Sequence, residues 1–194
     1  ETMAEICLRH DIVICSDEIH CDLLFDDNVH TPIASLAREV GAQTITLMAP
    51  SKTYNIAGLK CSVGIIENPA LRERLCGTYR GLMPSVNILG YAAALAAYSE
   101  GQAWLDEVLH YMEGNRDFLL DYVERELPGI TAGKPEGTYL AWLDCRDAAI
   151  PGNAYTFFLE EAKVGLTDGA VFGEAGAGFV RLNFGCPSPM LVEG

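Results

Sequence analysis

The stretch "DIVICSDEIHCDLLF", Asp11 to Phe25, runs from an apolar segment, Ile12 to Cys15, into the carboxylate pair Asp17-Glu18 and then His20. Four apolar residues closed by polar ones predict a short buried strand. Two chemistries place acids at the mouth of such a strand. A nucleotide-dependent motor of the DExH type holds magnesium with them. Other enzymes set one aspartate against a bound cofactor.

The rest of the chain separates these readings. Lys and Arg total 13 against 27 Asp and Glu, a net charge of −14. So acidic a surface repels phosphate backbones, which excludes a nucleic-acid partner. No Gly-x-x-x-x-Gly-Lys-Ser/Thr string is present to cradle nucleotide phosphates. Glu18 therefore reads as a supporting or surface acid and no metal site is expected. The seven cysteines are scattered, without a Cys-x-x-Cys pair. They fit reduced core thiols and a cytoplasmic location. Gly81 to Ser99 is uncharged over nearly membrane-spanning length, yet it contains Pro84, Ser85, Asn87 and Gly90. It reads as a turn followed by a buried helix, not a membrane span.

Alternating patterns predict an α/β fold. Helix is expected at Glu1–Arg9, Pro32–Val40 (closed by Gly41), Pro69–Cys76, Val86–Tyr98 and Gln102–Leu127. Strands are expected at Ile12–Cys15, Thr44–Met48 and Ser62–Ile66, with a polar loop over Ala49–Leu59. Beyond Pro128-Gly129 the texture becomes α+β, with strands at Thr138–Leu143 and Val180–Phe184 and a helix at Ala154–Lys163. Residues 1–105 are thus expected to belong to a larger domain and 106–194 to a smaller one, bridged by the long helix. The chain starts and stops inside helix-like patterns, so it reads as the C-terminal fragment of a longer protein.

Lys52, thirty-five residues after Asp17, lies in "MAPSKTYNIAGLK", Met48 to Lys60. A loop lysine is ordinarily solvated. Lys52, however, directly follows a predicted strand, and carboxyl ends of strands are where open α/β sheets build their sites. Asp17 stands at another such end.

In order, "SDEIH", "SKTYNIAGL" and "VRLNF" resemble the class I/II aminotransferase superfamily, pyridoxal-phosphate enzymes of fold type I. The pattern is nearest to the branch of cystathionine β-lyases and cysteine-S-conjugate β-lyases. The three motifs cover nearly the whole chain. The resemblance implies part of a large mixed-sheet domain followed by a smaller α+β domain. It implies pyridoxal 5'-phosphate as cofactor, an amino-acid substrate and a homodimer. It also implies that an N-terminal half carries a phosphate loop and a ring-stacking aromatic, so this fragment alone would not catalyse.

The same resemblance assigns roles. Lys52 supplies the amine for a Schiff base with the cofactor and later carries protons. Asp17 pairs with the pyridine nitrogen; otherwise it is a turn or cap residue. Ile19 packs on the ring face. His20 replaces a tyrosine that hydrogen-bonds the ring's phenolic oxygen; otherwise it is a surface histidine. Ser51 contacts the phosphate. Lys60 stands where many aminotransferases have an arginine on that phosphate, keeping charge without the bidentate fork. Ala49 departs from the hydroxyl residue usual three positions before the lysine. Arg181 alternates with Val180 and Leu182, and it clamps the substrate carboxylate or makes an ordinary surface ion pair. "PEGTYLAWLD", Pro135 to Asp144, matches a strand near the substrate. His20 and the absence of arginine at position 60 favour a carbon–sulfur β-lyase over an aminotransferase. A non-catalytic regulatory protein on this fold is the third reading.

Overall fold

The computed structural model describes residues 2–82 and 85–194. Glu1, expected in the first helix, and Pro84, expected in the turn near residue 84, lie outside them. The chain divides into two compact units. One runs to Asp22 and resumes over Val29–Asp106; the other comprises Leu23–Asn28 and Glu107–Gly194.

The first unit opens with α1, Thr2–Arg9, followed by β1, Ile14–Asp17. The strand begins two residues later than the apolar run predicts. The Ile12 N–H is taken by the Cys7 carbonyl in closing the helix, and Ile12 and Val13 are exposed. Pairing starts only at Ile14↔Thr44. Asp17 thereby becomes the last strand residue. A 3-10 turn at Ile33–Ser35 and α2, Arg38–Ala42, replace the single helix expected over 32–40. Gly41 lies inside α2, where a Cβ would fall 2.9 Å from the Ala34 carbonyl oxygen. Ala4, Ile14 and Val40 form the small core against which Cys7, Leu8 and Ile33 pack.

The next strand, β2, is Thr44–Met48, and β3 is Val63–Ile65. The sheet order is β1-β2-β3, parallel between the first pair and antiparallel between the second. Ala49–Leu59, read as loop, contains α3, Pro50–Thr53, and a 3-10 turn at Ala57–Leu59. Pro50 at the first turn pre-sets the helical φ. The next helix, α4, Pro69–Tyr79, is started by Asn68, whose side chain accepts from the Ala70 and Leu71 N–H groups.

Asn87 caps α5, Ile88–Glu100. This helix is not buried as the sequence suggested: Ile88, Leu89, Tyr91 and Leu95 are exposed. Two of its close contacts lie near its ends. Gly90 lies so near the Leu59 carbonyl that a Cβ would sit 2.7 Å from it, and Tyr98 meets Tyr54 edge-on. Among the described residues no helix is long and apolar enough to cross a membrane.

The long helix α6, Gln102–Glu126, starts in the first unit and continues into the second. The second unit adds β4, Thr131–Ala132, β5, Leu140–Asp144, α7, Ala154–Glu160, β6, Thr167–Asp168, β7, Phe179–Asn183, and α8, Ser188–Glu193. Its sheet is antiparallel with order β4-β5-β7-β6. Thr138 has φ 61° and stays outside β5, which therefore starts later than predicted. Lys163, with φ 62°, lies beyond the end of α7.

Leu23–Asn28 joins this second unit, an excursion the expected boundary at 105/106 lacked. Leu24 bridges Gly137, and the Thr138 N–H donates to the Leu23 carbonyl at 2.7 Å. Phe25 is buried 6.3 Å from the Phe184 ring. Asn115, also buried, donates to the carbonyls of Phe184 and Cys186 and accepts from Ser188.

Candidate active site

Asp17 and Lys52 come from neighbouring parallel strands. Asp17 ends β1 opposite Leu47, and the ladder continues with the Glu18 N–H donating to the Leu47 carbonyl at 2.9 Å. β2 ends one residue later, and α3 delivers Lys52 in its last turn. Both groups thus rise from the carboxyl ends of adjacent strands, as the pattern predicted. The Asp17 carboxylate is exposed and accepts only a long bond, 3.4 Å, from the Ile19 N–H. Lys52 is half-buried and has no hydrogen-bond or ion-pair partner among the described residues.

Glu18 points the other way. It is 6% exposed and accepts from Ser16 at 2.8 Å, from His30 Nε2 at 2.9 Å and from the Ile33 N–H at 3.2 Å. Burial pushes its carboxyl pKa up, but these donors outweigh burial and hold it below the ordinary value. A carboxyl group whose folded-state pKa is depressed contributes stability above its unfolded pKa and loses it as pH falls through the folded one. The Glu18→Gln variant should therefore melt below wild type at neutral pH. Its deficit should shrink as pH falls below the ordinary glutamate value of about 4.3; a deficit that stays constant from neutral pH into that acidic range would show the carboxylate charge to be irrelevant.

Ile19 and His20 are half-buried in the turn after β1, and Ser51 is half-buried in α3. Lys60 is exposed with φ 51°, closing the 3-10 turn at Ala57–Leu59. Arg181 belongs to the second unit, on β7 opposite Trp142. Val180 and Phe184 are fully buried, so alternation turns Arg181 away from the core. Its guanidinium lies 4.8 Å from the Phe172 ring centre and has no carboxylate partner among the described residues.

Asp22 and Thr53 were not singled out in the sequence. Thr53, buried, donates its hydroxyl to Asp22 Oδ2 at 3.0 Å. Tyr54, next in the chain, stacks on Trp104 and meets Tyr98 edge-on. The available signal was position alone: Asp22 closes the motif that opens with Asp17, and Thr53 follows the lysine.

The model of the family "Aminotransferase class I and II" matches residues 1–193. Protein MalY of Escherichia coli is 38% identical over 100% of this chain and 50% of its own length. Cystathionine beta-lyase PatB of Bacillus subtilis is 38% identical over 99% of this chain and 50% of its own. The crystal structure of cystalysin from Treponema denticola, which contains a pyridoxal 5'-phosphate cofactor, superimposes with a TM-score of 0.92 at 37% identity, covering 98% of this chain and 49% of that one. The chain spans about half the length of the curated relatives it matches. With the family model matched over nearly every residue and two strand ends presenting an aspartate and a lysine unpaired among the described residues, the chain belongs to the class I and II aminotransferase family.

Proposed function

We propose that the complete protein containing this chain is a pyridoxal-phosphate-dependent carbon–sulfur β-lyase, releasing a thiol, pyruvate and ammonia from cystathionine or a cysteine S-conjugate. The observation that carries the reading is the pairing of Asp17 and Lys52 at adjacent strand ends, where among the described residues Lys52 has no partner and the Asp17 carboxylate holds one long bond from the Ile19 N–H. The residues fit the cofactor. An unpaired amine suits its aldehyde, and an open carboxylate suits its pyridine nitrogen. When bound, pyridoxal phosphate supplies the electron sink for the charge left at the substrate's α-carbon.

Lys52 Nζ holds the cofactor and, once released by the incoming amino group, takes the α-proton of the substrate. Asp17 keeps the proton on the pyridine nitrogen. Ile19 packs on the ring face, His20 donates to the phenolic oxygen, and Ser51 and Lys60 meet the phosphate. Arg181, its guanidinium uncommitted to any carboxylate among the described residues, clamps the substrate's α-carboxylate. The β-thiol then leaves with the electron pair of its carbon–sulfur bond. A homodimer in the cytoplasm, with residues 1–105 in the larger domain apart from the Leu23–Asn28 excursion and 106–194 in the smaller, completes the proposal.

Names borne by relatives, cystathionine beta-lyase among them, support the lyase over the aminotransferase. The test is to load the complete protein with pyridoxal phosphate and supply L-cystathionine with no keto acid. Steady pyruvate release is expected. A folded, cofactor-loaded protein that makes none, yet transfers the amino group once a keto acid is added, would replace the lyase by an aminotransferase. Silence in both assays would favour the non-catalytic reading.

A further inference from the structure

A four-residue helix does not hold its own shape, so the turn that carries Lys52 must be fixed from outside. Three fastenings surround the lysine. Pro50 is fully buried two residues before it. Tyr54, two residues after, is wedged between Tyr98 and Trp104 with ring centres 5.9 and 6.1 Å away. Gly101 backs this wedge, since a Cβ there would lie 2.5 Å from the Tyr54 ring. The third fastening is polar. Thr53 is 1% exposed, and its hydroxyl donates to Asp22 Oδ2 at 3.0 Å. The other carboxylate oxygen has the Cys21 thiol 3.7 Å away.

We propose that Asp22 is a positioning residue for Lys52, holding the lysine turn through Thr53 and so fixing it to the same short segment that carries Asp17, Ile19 and His20. This rests on Lys52 being the amine that binds the cofactor. The sequence distance from Asp17 to Asp22 is five residues. The carboxylate for the ring nitrogen and the anchor for the lysine therefore share one stretch of backbone. The charge of Asp22 is felt on several sides. After burial, it is the next cause raising the Tyr54 and Tyr98 phenols and the Cys21 thiol, the last to about 11. Asp22 is thus central to the packing behind Lys52, although no cofactor contact is assigned to it.

The test uses the complete protein stripped of cofactor and mixed with pyridoxal phosphate. Samples are quenched with borohydride at intervals and pyridoxyl-Lys52 is counted by peptide mass spectrometry. Lys134 and Lys163, which have no role in the proposed site, serve as internal references for non-specific labelling. Thr53→Val keeps the side-chain shape and removes the donor. It should slow labelling of Lys52 about tenfold, with the reference lysines unchanged. Thr53→Ser should restore the rate. Asp22→Ala should match Thr53→Val, and the double variant should be no slower than either, as expected for one shared interaction.

A folded Thr53→Val protein that labels Lys52 at the wild-type rate would overturn the inference. So would a double variant whose loss is the sum of the singles. Should Thr53→Val not fold, the comparison of Asp22→Ala with Thr53→Ser decides: both at the wild-type rate overturns the proposal, and slow Asp22→Ala beside fast Thr53→Ser upholds it. Wild-type protein that never labels Lys52 would instead bring down the reading of Lys52 itself, and the inference with it.

Discussion

The Lys52→Ala protein should lose pyruvate production from L-cystathionine by about 10²–10⁴-fold from missing proton transfer alone. The loss should appear in kcat, because Lys52 acts at the α-carbon rather than on the substrate's carboxylate. The melting temperature of the cofactor-free protein should hardly move. The side chain is only half-buried and no partner among the described residues loses a bond when it is removed. Lys52→Arg should be as inactive: it keeps a positive charge, but a guanidinium does not give up its proton in the working range. Pyruvate formation surviving in both variants would remove Lys52 from the chemistry.

The largest effect on stability should come from Arg116 in α6. It is 1% exposed and is held on every side. It donates twice to Asp26, at 2.7 and 3.1 Å, to Asp117 at 2.8 Å and to the Pro135 carbonyl at 3.3 Å, and it lies 4.9 Å over the Phe25 ring. Arg116 and Lys134 hold the Asp26 carboxyl below its usual range. Arg116→Ala empties this site and strips the Leu23–Asn28 segment of its main polar anchor. The cost should be on the order of 3 kcal/mol, or a drop of roughly 6–12 °C in melting temperature for a chain of this size. Arg116→Met, which refills the volume without the charge, should recover part of the loss. Differential scanning calorimetry decides it. An Arg116→Ala protein melting within a degree or two of wild type would show that the segment is held by its backbone bonds and the burial of Leu23 and Phe25, without Arg116.

What the sequence revealed and concealed follows from the range of each interaction. The placement of Asp17 and Lys52 after strands and of Arg181 within an alternating strand was legible, because such features are encoded within a few residues. The α3 turn was hidden. Four residues give no periodicity, and its fixings, Asp22 and Trp104, are remote in sequence. The partners of Glu18 lie 12 and 15 residues downstream, so its burial was equally invisible. Ala-rich, apolar α5 read as buried, because hydropathy reports a side chain's preference and not what covers it. "DLLF" read as the tail of one motif. Among the contacts that draw that stretch into the second unit are Gly137, Arg116 and Phe184, ninety or more residues away.

That excursion bears on how such a protein can be divided. Neither unit is a continuous length of chain: the second borrows six residues from deep within the first. A truncated chain begun at Glu107 would keep the antiparallel sheet but lack Leu23 and Phe25, each 1% exposed. It would also leave the Arg116 guanidinium buried without Asp26. Gene fusion or recombination at the apparent border near residue 106 would therefore take away part of the second unit's core. A viable exchange must carry Leu23–Asn28 together with everything after Glu107, so the two units are inherited as a pair.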